Sequence, residues 1–226
     1  DIGGGALYAA IGILIALMGV KQNGVGQYVD TSMLDGAVSW LPVLANDYFV
    51  KGVSPKAAEN ILNGQNACYE VYETADGRYI SIGAIEPHLW ANFCDAIGKE
   101  EFKLWQRDLT KQDEMFACLR EMFKSKTQAE WIEKLTGVDC CWAPVKNLEE
   151  VFADPQVLAR DMVYEMTDPA GCYGSVKMIG SAVKLSETPA RQELFPPRKG
   201  EHNAEYLKAV GYSDEQIAEF EKNGII

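Results

Sequence analysis

Residues 1–20 read DIGGGALYAAIGILIALMGV, and this stretch decides the fold expected for the first part of the chain. From Ile2 to Val20 there is no charged side chain over 19 residues, which is about the length that crosses a bilayer. Three glycines open the run, no basic flank or aromatic belt frames it, and no second segment of this kind follows. We therefore predict a buried helix of a soluble protein and no membrane partner.

Composition points to an ordinary globular protein. The chain has 226 residues, of which 47% are hydrophobic and 24% are charged. Its formal net charge of −12 disfavours nucleic acid as a partner, because phosphate binding needs a basic surface. Six cysteines without a C-x-x-C motif and only two histidines predict no metal site and no disulfides. The expected state is an acidic cytoplasmic protein with reduced, buried cysteines.

Turn signals and apolar spacing predict helices at both ends of the chain and an α+β module between them. Residues 69–73 alternate, Asp76-Gly77 favours a turn and residues 79–82 return, which predicts a hairpin. One helix is expected from Ser32 to about Val50, with Pro42 able to kink it. Further helices are predicted at 87–97, 111–124, 128–136, 203–210 and 214–222, further strands at 27–30, 141–145, 162–168 and 174–179, and an extended tie at 186–200.

Two acidic residues are candidates for chemistry. Asp1 directly precedes the glycines and the apolar helix, where the helix dipole keeps a carboxylate ionised and a bare backbone lets a ligand approach free N–H groups. The alternative is that Asp1 only caps the helix. Glu86 lies between a predicted strand end and a helix start, as a functional residue or as a first-turn acid serving the dipole. His88 and His202 are general-base candidates or ordinary surface residues.

Asp1-Ile2-Gly3-Gly4-Gly5 and the apolar helix after it resemble the catalytic segment of the family III CoA-transferases. This family is also called CaiB/BaiF and includes the 2-methylacyl-CoA racemases. Other segments resemble the family in the same order along nearly the whole chain: residues 26–36, 75–80, 83–87, 141–145, 154–156, 200–203 and 211–217.

The resemblance implies an α/β fold of which this chain is the C-terminal part. The Rossmann-like half that carries most CoA-binding residues, and in racemases a histidine acid/base, is then missing. The implied division is large-domain helices at 1–50, a linker at 51–66, a small α+β domain at 67–165, and a return linker with C-terminal helices at 166–226. An interlocked homodimer is implied as well.

The resemblance also implies roles for single residues. Asp1 and Glu86 are the expected catalytic residues, and Gly3, Gly4 and the Gly64-Gln65 pair are the expected substrate-binding residues. An acyl-CoA thioester is the expected substrate, with no bound cofactor.

Two reactions occur in the resembling family. In racemases the residue matching Asp1 moves a proton at the α-carbon, and a glutamate in the G-A-[IL]-E-P segment orients the histidine. In transferases the same aspartate is a nucleophile that forms an aspartyl-CoA thioester. Glu86, together with the short stretch at 63–66 where many transferases carry a longer glycine-rich loop, favours racemase-type chemistry. CoA transfer is the alternative, and an inactive fragment or interaction domain is a further one.

Overall fold

The computed structural model of the chain describes residues 1–190 and 194–226. The chain forms two compact units, Asp1–Val145 and Lys146–Ile226. Residues 191–193 of the predicted extended tie lie outside the described residues. The four-part division expected from the resemblance stays a prediction.

The N-terminal segment is helical. In order, its elements are a π-helical turn at Ile2–Ala6, α1 at Leu7–Asn23, α2 at Met33–Ser39 and α3 at Pro42–Lys51. The predicted strand at 27–30 is wrong, because no other segment of the described chain pairs with it. The predicted single helix from Ser32 is two helices: α2 ends at Ser39, and Pro42 begins α3, since proline suits a first turn but not a helix interior.

Helix α1 is not buried by this chain, so the prediction of a buried helix is wrong for the described residues. No residue of α1 is buried, and Leu14 and Met18 are 60% and 62% exposed. Helix α1 carries apolar side chains on all of its sides, whereas other parts of the chain pack against only one side, where Gly12 faces Val29 and Thr31. By length and composition, the helical stretch Ile2–Asn23 is apolar enough to cross a membrane.

A three-stranded antiparallel sheet forms the centre of the first unit. Its strands are β1 at Tyr69–Glu73, β2 at Tyr79–Gly83 and β3 at Trp142–Pro144, in the order β1-β2-β3. The predicted hairpin is confirmed: Tyr69 pairs with Gly83 and Glu73 with Tyr79, and Gly77 takes a φ of 72° in the turn.

Helices supply the other side of the core. They are α4 at Pro87–Ile97, short 3-10 helices at Glu100–Trp105 and Leu109–Lys111, α5 at Gln112–Phe123 and α6 at Gln128–Leu135. The Phe123 ring lies 4.8 Å from Tyr72 and 4.6 Å from Trp131, measured between ring centroids. Trp90 and Trp131 are fully buried, whereas Trp105 and Trp142 are half-buried at the edge of the core.

The second unit contains a hairpin and short helices. Its elements are α7 at Leu148–Ala153, α8 at Pro155–Ala159, β4 at Val163–Thr167, β5 at Ser175–Ile179, α9 at Asn203–Ala209 and α10 at Asp214–Lys222. Strands β4 and β5 pair antiparallel. Ser213 and Gln216 form a capping box at the start of α10. Helices and small antiparallel sheets together confirm the predicted α+β class for this chain.

All six cysteines are free. Cys68, Cys94 and Cys140 are buried, but Cys141 and Cys172 are exposed, so the prediction of buried cysteines is wrong for these two. Cys172 follows the β4 strand in a surface turn, and Cys141 sits in a left-handed conformation with φ of 52° beside buried Cys140. At this tight bend the side chains of the two adjacent residues point in different directions, so Cys140 reaches the core and Cys141 does not.

Candidate active site

Asp1 precedes the π-helical turn that leads into α1. The backbone N–H of Ala6 donates to the Asp1 carbonyl at 2.8 Å, which closes the turn. The Asp1 side chain is exposed and makes no capping hydrogen bond. The alternative in which this carboxylate serves only as a helix cap is therefore not what the structure shows.

The glycines after Asp1 differ in their surroundings. A β-carbon at Gly3 would meet nothing within 4 Å, so open space lies beside the backbone there. A β-carbon at Gly4 would lie 3.1 Å from the Met33 carbonyl oxygen and 3.3 Å from the Ala37 nitrogen. Gly4 therefore lets α2 approach the turn closely, and Gly3 leaves backbone accessible to a ligand.

Glu86 lies where the sequence predicted, between the end of β2 and the start of α4. Its backbone is extended, with φ −70° and ψ 135°, and Pro87 occupies the first position of the helix. The backbone N–H of Trp90 donates to the Glu86 carbonyl at 3.1 Å. The Glu86 side chain is exposed and makes no capping hydrogen bond to α4.

Among the described helix starts, those at Ala6, Leu41, Lys99, Lys111 and His202 have no side-chain cap, whereas others are capped by a Ser, Thr, Asn or Asp side chain. The residues that accept a backbone N–H in this way are Ser32, Asp108, Thr127, Asn147, Asp154 and Ser213. Aspartate at this position normally accepts such a bond, whereas glutamate is not one of the preferred cap residues. Asp1 and Glu86 instead keep their oxygen atoms free for another partner.

Gly64 and Gln65 line a cavity of about 590 Å³. Gly64 takes a φ of 98°, a conformation that favours glycine, and the other side of the cavity is formed by α5, including Phe116 and Arg120. The Arg120 guanidinium lies 5.0 Å from the Phe116 ring centroid. The cavity has the volume of a small-molecule site.

The structure thus brings some of the predicted residues together and leaves others apart. Asp1, Gly3 and Gly4 share one turn, and Gly64 and Gln65 share one cavity. Among residues 1–190 and 194–226, no hydrogen bond joins Asp1 or its turn to Glu86 or to that cavity.

The sequence did not predict two residues that contact the loop before Glu86. Gln106 and Arg107 donate hydrogen bonds to the loop before Glu86, at 2.9 Å and 3.2 Å to the Ile85 carbonyl. Nothing in the sequence marks them, since each contact spans more than twenty residues and carries no motif.

The buried cysteines are unsuited to nucleophilic chemistry. Burial raises the pKa of the Cys94 thiol to about 12 and that of Cys140 to about 11. Burial also raises the pKa of Cys68, although the positive charge of Arg107 opposes it. Neutral thiols are poor nucleophiles, so these three side chains are packing residues. The two histidines, His88 and His202, are exposed.

Comparisons with known proteins agree on one family. The family described as CoA-transferase family III matches residues 1–203. An acyl-CoA transferase of Fusarium pseudograminearum is 33% identical over 95% of this chain and 48% of its own length. The alpha-methylacyl-CoA racemase of Mus musculus is 32% identical over 100% of this chain and 58% of its own length.

A solved structure agrees with the fold. A CAIB/BAIF family protein from Brucella suis superposes with a TM-score of 0.69 and 25% identity, over 90% of this chain and 53% of that one. The chain spans about half the length of the relatives it matches. The expected fold is confirmed, and the chain belongs to CoA-transferase family III.

Proposed function

We propose that the protein containing this chain is an enzyme that acts on acyl-CoA thioesters by proton transfer at the α-carbon, as a racemase. One observation carries the proposal. Two exposed carboxylates, Asp1 and Glu86, stand at helix N-termini, and neither makes a capping hydrogen bond to its own helix. Family membership and the similarity to a protein named alpha-methylacyl-CoA racemase support this choice.

In this proposal Asp1 is the acid/base on one side of the substrate. Its carboxylate removes the proton from the α-carbon, and negative charge develops on the thioester oxygen. The first N–H groups of the turn at Ile2–Ala6 have no acceptor within that turn, as at any helix start. With no side chain on Gly3, these donors are accessible and suited to an enolate oxygen.

Glu86 acts on the opposite side. The proton is returned to the other face of the α-carbon by a second acid/base, which the family resemblance assigns to a histidine outside this chain. Glu86 accepts a hydrogen bond from that group and fixes its orientation, so Glu86 is a positioning residue as well as a charge partner. A carboxylate that caps no helix of its own is suited to this task.

Gly64 and Gln65 form part of the substrate site in the proposal. The cavity they line has a size within the range of ligand pockets, and α5 closes its far side. No bound cofactor or metal is required, since the thioester itself makes the α-proton acidic enough for a positioned base.

CoA transfer is the second candidate, and the similarity to a protein named acyl-CoA transferase favours it. Asp1 would attack the thioester carbonyl and expel the CoA thiolate, which gives a mixed anhydride. The thiolate would then attack the Asp1 carbonyl of that anhydride and release the acyl group as a carboxylate. The product on the protein is an aspartyl-CoA thioester. Asp1 is essential in both reactions, as the base in racemisation and as the nucleophile in CoA transfer.

The exposed apolar surface of α1 is relevant to the assembly of the protein. A helix that is apolar on all sides is unstable in water, so we propose that the remainder of the protein or a second copy covers it. A cytoplasmic homodimer is the expected form.

One experiment separates the two reactions. The complete protein is incubated in D2O with a single enantiomer of a 2-methylacyl-CoA, without any acceptor acid. A racemase produces the other enantiomer with deuterium at the α-carbon and leaves no thioester for hydroxylamine or borohydride to trap. CoA exchange that requires an acceptor acid, with no α-deuteration, would reject the racemase and support the transferase.

A further inference from the structure

We propose that Gln106 is a positioning residue that holds Glu86 in place at the end of β2. The inference deepens the proposed function and rests on it, because it concerns the carboxylate assigned to the reaction. The Gln106 side chain is buried, and its position at the end of a 3-10 helix has no motif that would mark it.

The loop that carries Glu86 needs such a support. Ala84 and Ile85 follow β2 and precede α4, so their carbonyl groups belong to neither the sheet ladder nor the helix. Ala84 is fully buried, and a buried carbonyl without a partner is costly. The Gln106 Nε2 donates to both carbonyls, at 2.9 Å each.

Gln106 is itself fixed by two other buried amide side chains. Its backbone carbonyl accepts from Asn66 Nδ2 at 3.1 Å and from Gln112 Nε2 at 3.4 Å. The Oε1 of Gln112 accepts from the backbone N–H of Ala67 at 2.9 Å. Asn66 directly follows Gln65, so one hydrogen-bonded network connects the end of the cavity-lining pair to the loop before Glu86.

The Glu86 backbone is therefore held from both sides while its carboxylate stays free. On the far side, the Trp90 N–H binds the Glu86 carbonyl, and the Trp90 indole donates to the Phe102 carbonyl at 2.8 Å. On the near side, Gln106 holds the two preceding carbonyl groups. A positioned catalytic group requires a fixed backbone and a side chain that is free to contact its partner, and Glu86 has both.

A second glutamine provides a matched control. Gln128 is as buried as Gln106, and its Nε2 also donates to two backbone carbonyls, those of Tyr79 at 2.7 Å and Val145 at 3.2 Å. Tyr79 begins β2, whereas Glu86 follows its end. Gln128 therefore donates an equivalent pair of hydrogen bonds at the opposite end of β2.

The first test compares Gln106→Met with Gln128→Met in the complete protein. Both changes keep the side-chain volume and remove two hydrogen bonds to backbone carbonyls, so both lower the thermal midpoint. The Ile85 carbonyl keeps the bond from Arg107, and the Tyr79 and Val145 carbonyls keep bonds from the Val145 N–H and from Arg78. Only Gln106→Met lowers kcat for α-proton exchange, by about 10-fold or more, with KM changed little. Equal kcat losses in the two variants, or an unchanged kcat in Gln106→Met, would overturn the inference.

A pH profile provides a readout that a merely structural role would not move. The carboxyl group introduced by Gln106→Glu can donate a hydrogen bond only while it is protonated. At temperatures where the variant is folded, its kcat relative to wild type falls as the pH rises, and Gln128→Glu shows no such fall. A ratio to wild type that is independent of pH in Gln106→Glu would contradict the inference.

A crystal structure separates this inference from the proposed function. If wild-type protein shows no α-proton exchange, the proposed reaction is wrong, but the position of Glu86 can still be compared. Gln106→Met is expected to shift the Glu86 backbone relative to β2, and Gln128→Met to leave it in place. An unmoved Glu86 in Gln106→Met would reject the positioning role whatever reaction the protein catalyses.

Discussion

Gly36 packs against Gly4 so closely that a β-carbon at position 36 would overlap the Gly4 carbonyl oxygen and lie 2.8 Å from the Gly4 α-carbon. Through this contact, α2 packs directly against the turn that follows Asp1. The atoms concerned are backbone atoms on both sides, so neither can move aside as the end of a flexible side chain would. The placement of Asp1 therefore depends on a residue 35 positions away that has no chemistry of its own.

The first prediction concerns this contact. Gly36→Ala in the complete protein is expected to cost about 1–3 kcal/mol of stability through overpacking. A displacement of about 1 Å at Asp1 would lower kcat by about 100-fold. Thermal unfolding and initial rates measure the two effects.

Gly26→Ala is the control for that change, because Gly26 lies outside α1 and a β-carbon there meets nothing within 4 Å. Activity in this control should match wild type. A Gly36→Ala protein with normal rate and stability would show that the close packing has no role in placing Asp1.

The second prediction concerns Glu86. Glu86→Gln keeps the shape of the side chain but removes its charge, so the partner acid/base loses its orientation. We expect α-proton exchange to slow by about 100-fold, the usual scale for a disturbed general acid/base. Glu133→Gln, a change at an exposed position of α6, should leave the rate unaltered. Equal rates in the two variants would make Glu86 an ordinary helix-start residue.

Asp168 supports the turn between β4 and β5. Its carboxylate accepts hydrogen bonds from the backbone N–H groups of Ala170, Cys172 and Tyr173 at 2.9, 2.8 and 2.9 Å. Burial acts to raise the pKa of this carboxyl, but these bonds and the charge of Arg198 outweigh it and hold the pKa below the ordinary value of 3.8.

The third prediction follows from the sign of that shift. A carboxyl whose pKa is lowered in the folded state contributes stability above its unfolded pKa and loses it as the pH falls through the folded pKa. Asp168→Asn should therefore lower the thermal midpoint at neutral pH. This difference from wild type should shrink as the pH falls below 3.8, the ordinary pKa of an aspartate. The exposed Glu187→Gln is the control. A difference that stays constant on acidification would exclude this role.

The fourth prediction tests the core of the first unit. Phe123 is fully buried between Tyr72 and Trp131. Phe123→Ala leaves a cavity there and should destabilise the protein by about 3–5 kcal/mol. Leu104→Ala, at a side chain that is 88% exposed in this chain, should change the midpoint far less. Chemical denaturation measures both, and similar losses would contradict the assigned core.

Local features were predictable from the sequence, because their causes lie within a few residues. The hairpin around Asp76-Gly77 and the capping boxes at Thr127 and Ser213 follow from turn and cap chemistry and are present. The positions of Asp1 and Glu86 at helix starts were likewise readable from neighbouring glycine and proline residues.

Long-range features were not predictable, because their causes lie far apart in the chain. Gly36 and Gln106 act through contacts with residues more than twenty positions away. The exposure of α1 was missed for a different reason: apolar composition indicates that a helix must be covered, but it does not reveal whether this chain supplies the cover.

The most direct measurement of the central claim is solvent deuterium incorporation by the complete protein and its Asp1→Asn variant. The variant keeps the shape of the side chain but has neither a basic nor a nucleophilic oxygen. Wild-type protein in D2O should place deuterium at the α-carbon of a 2-methylacyl-CoA, and Asp1→Asn should lose that exchange by about 1,000-fold or more. Near-normal exchange in Asp1→Asn, or no exchange in the wild type, would contradict the account.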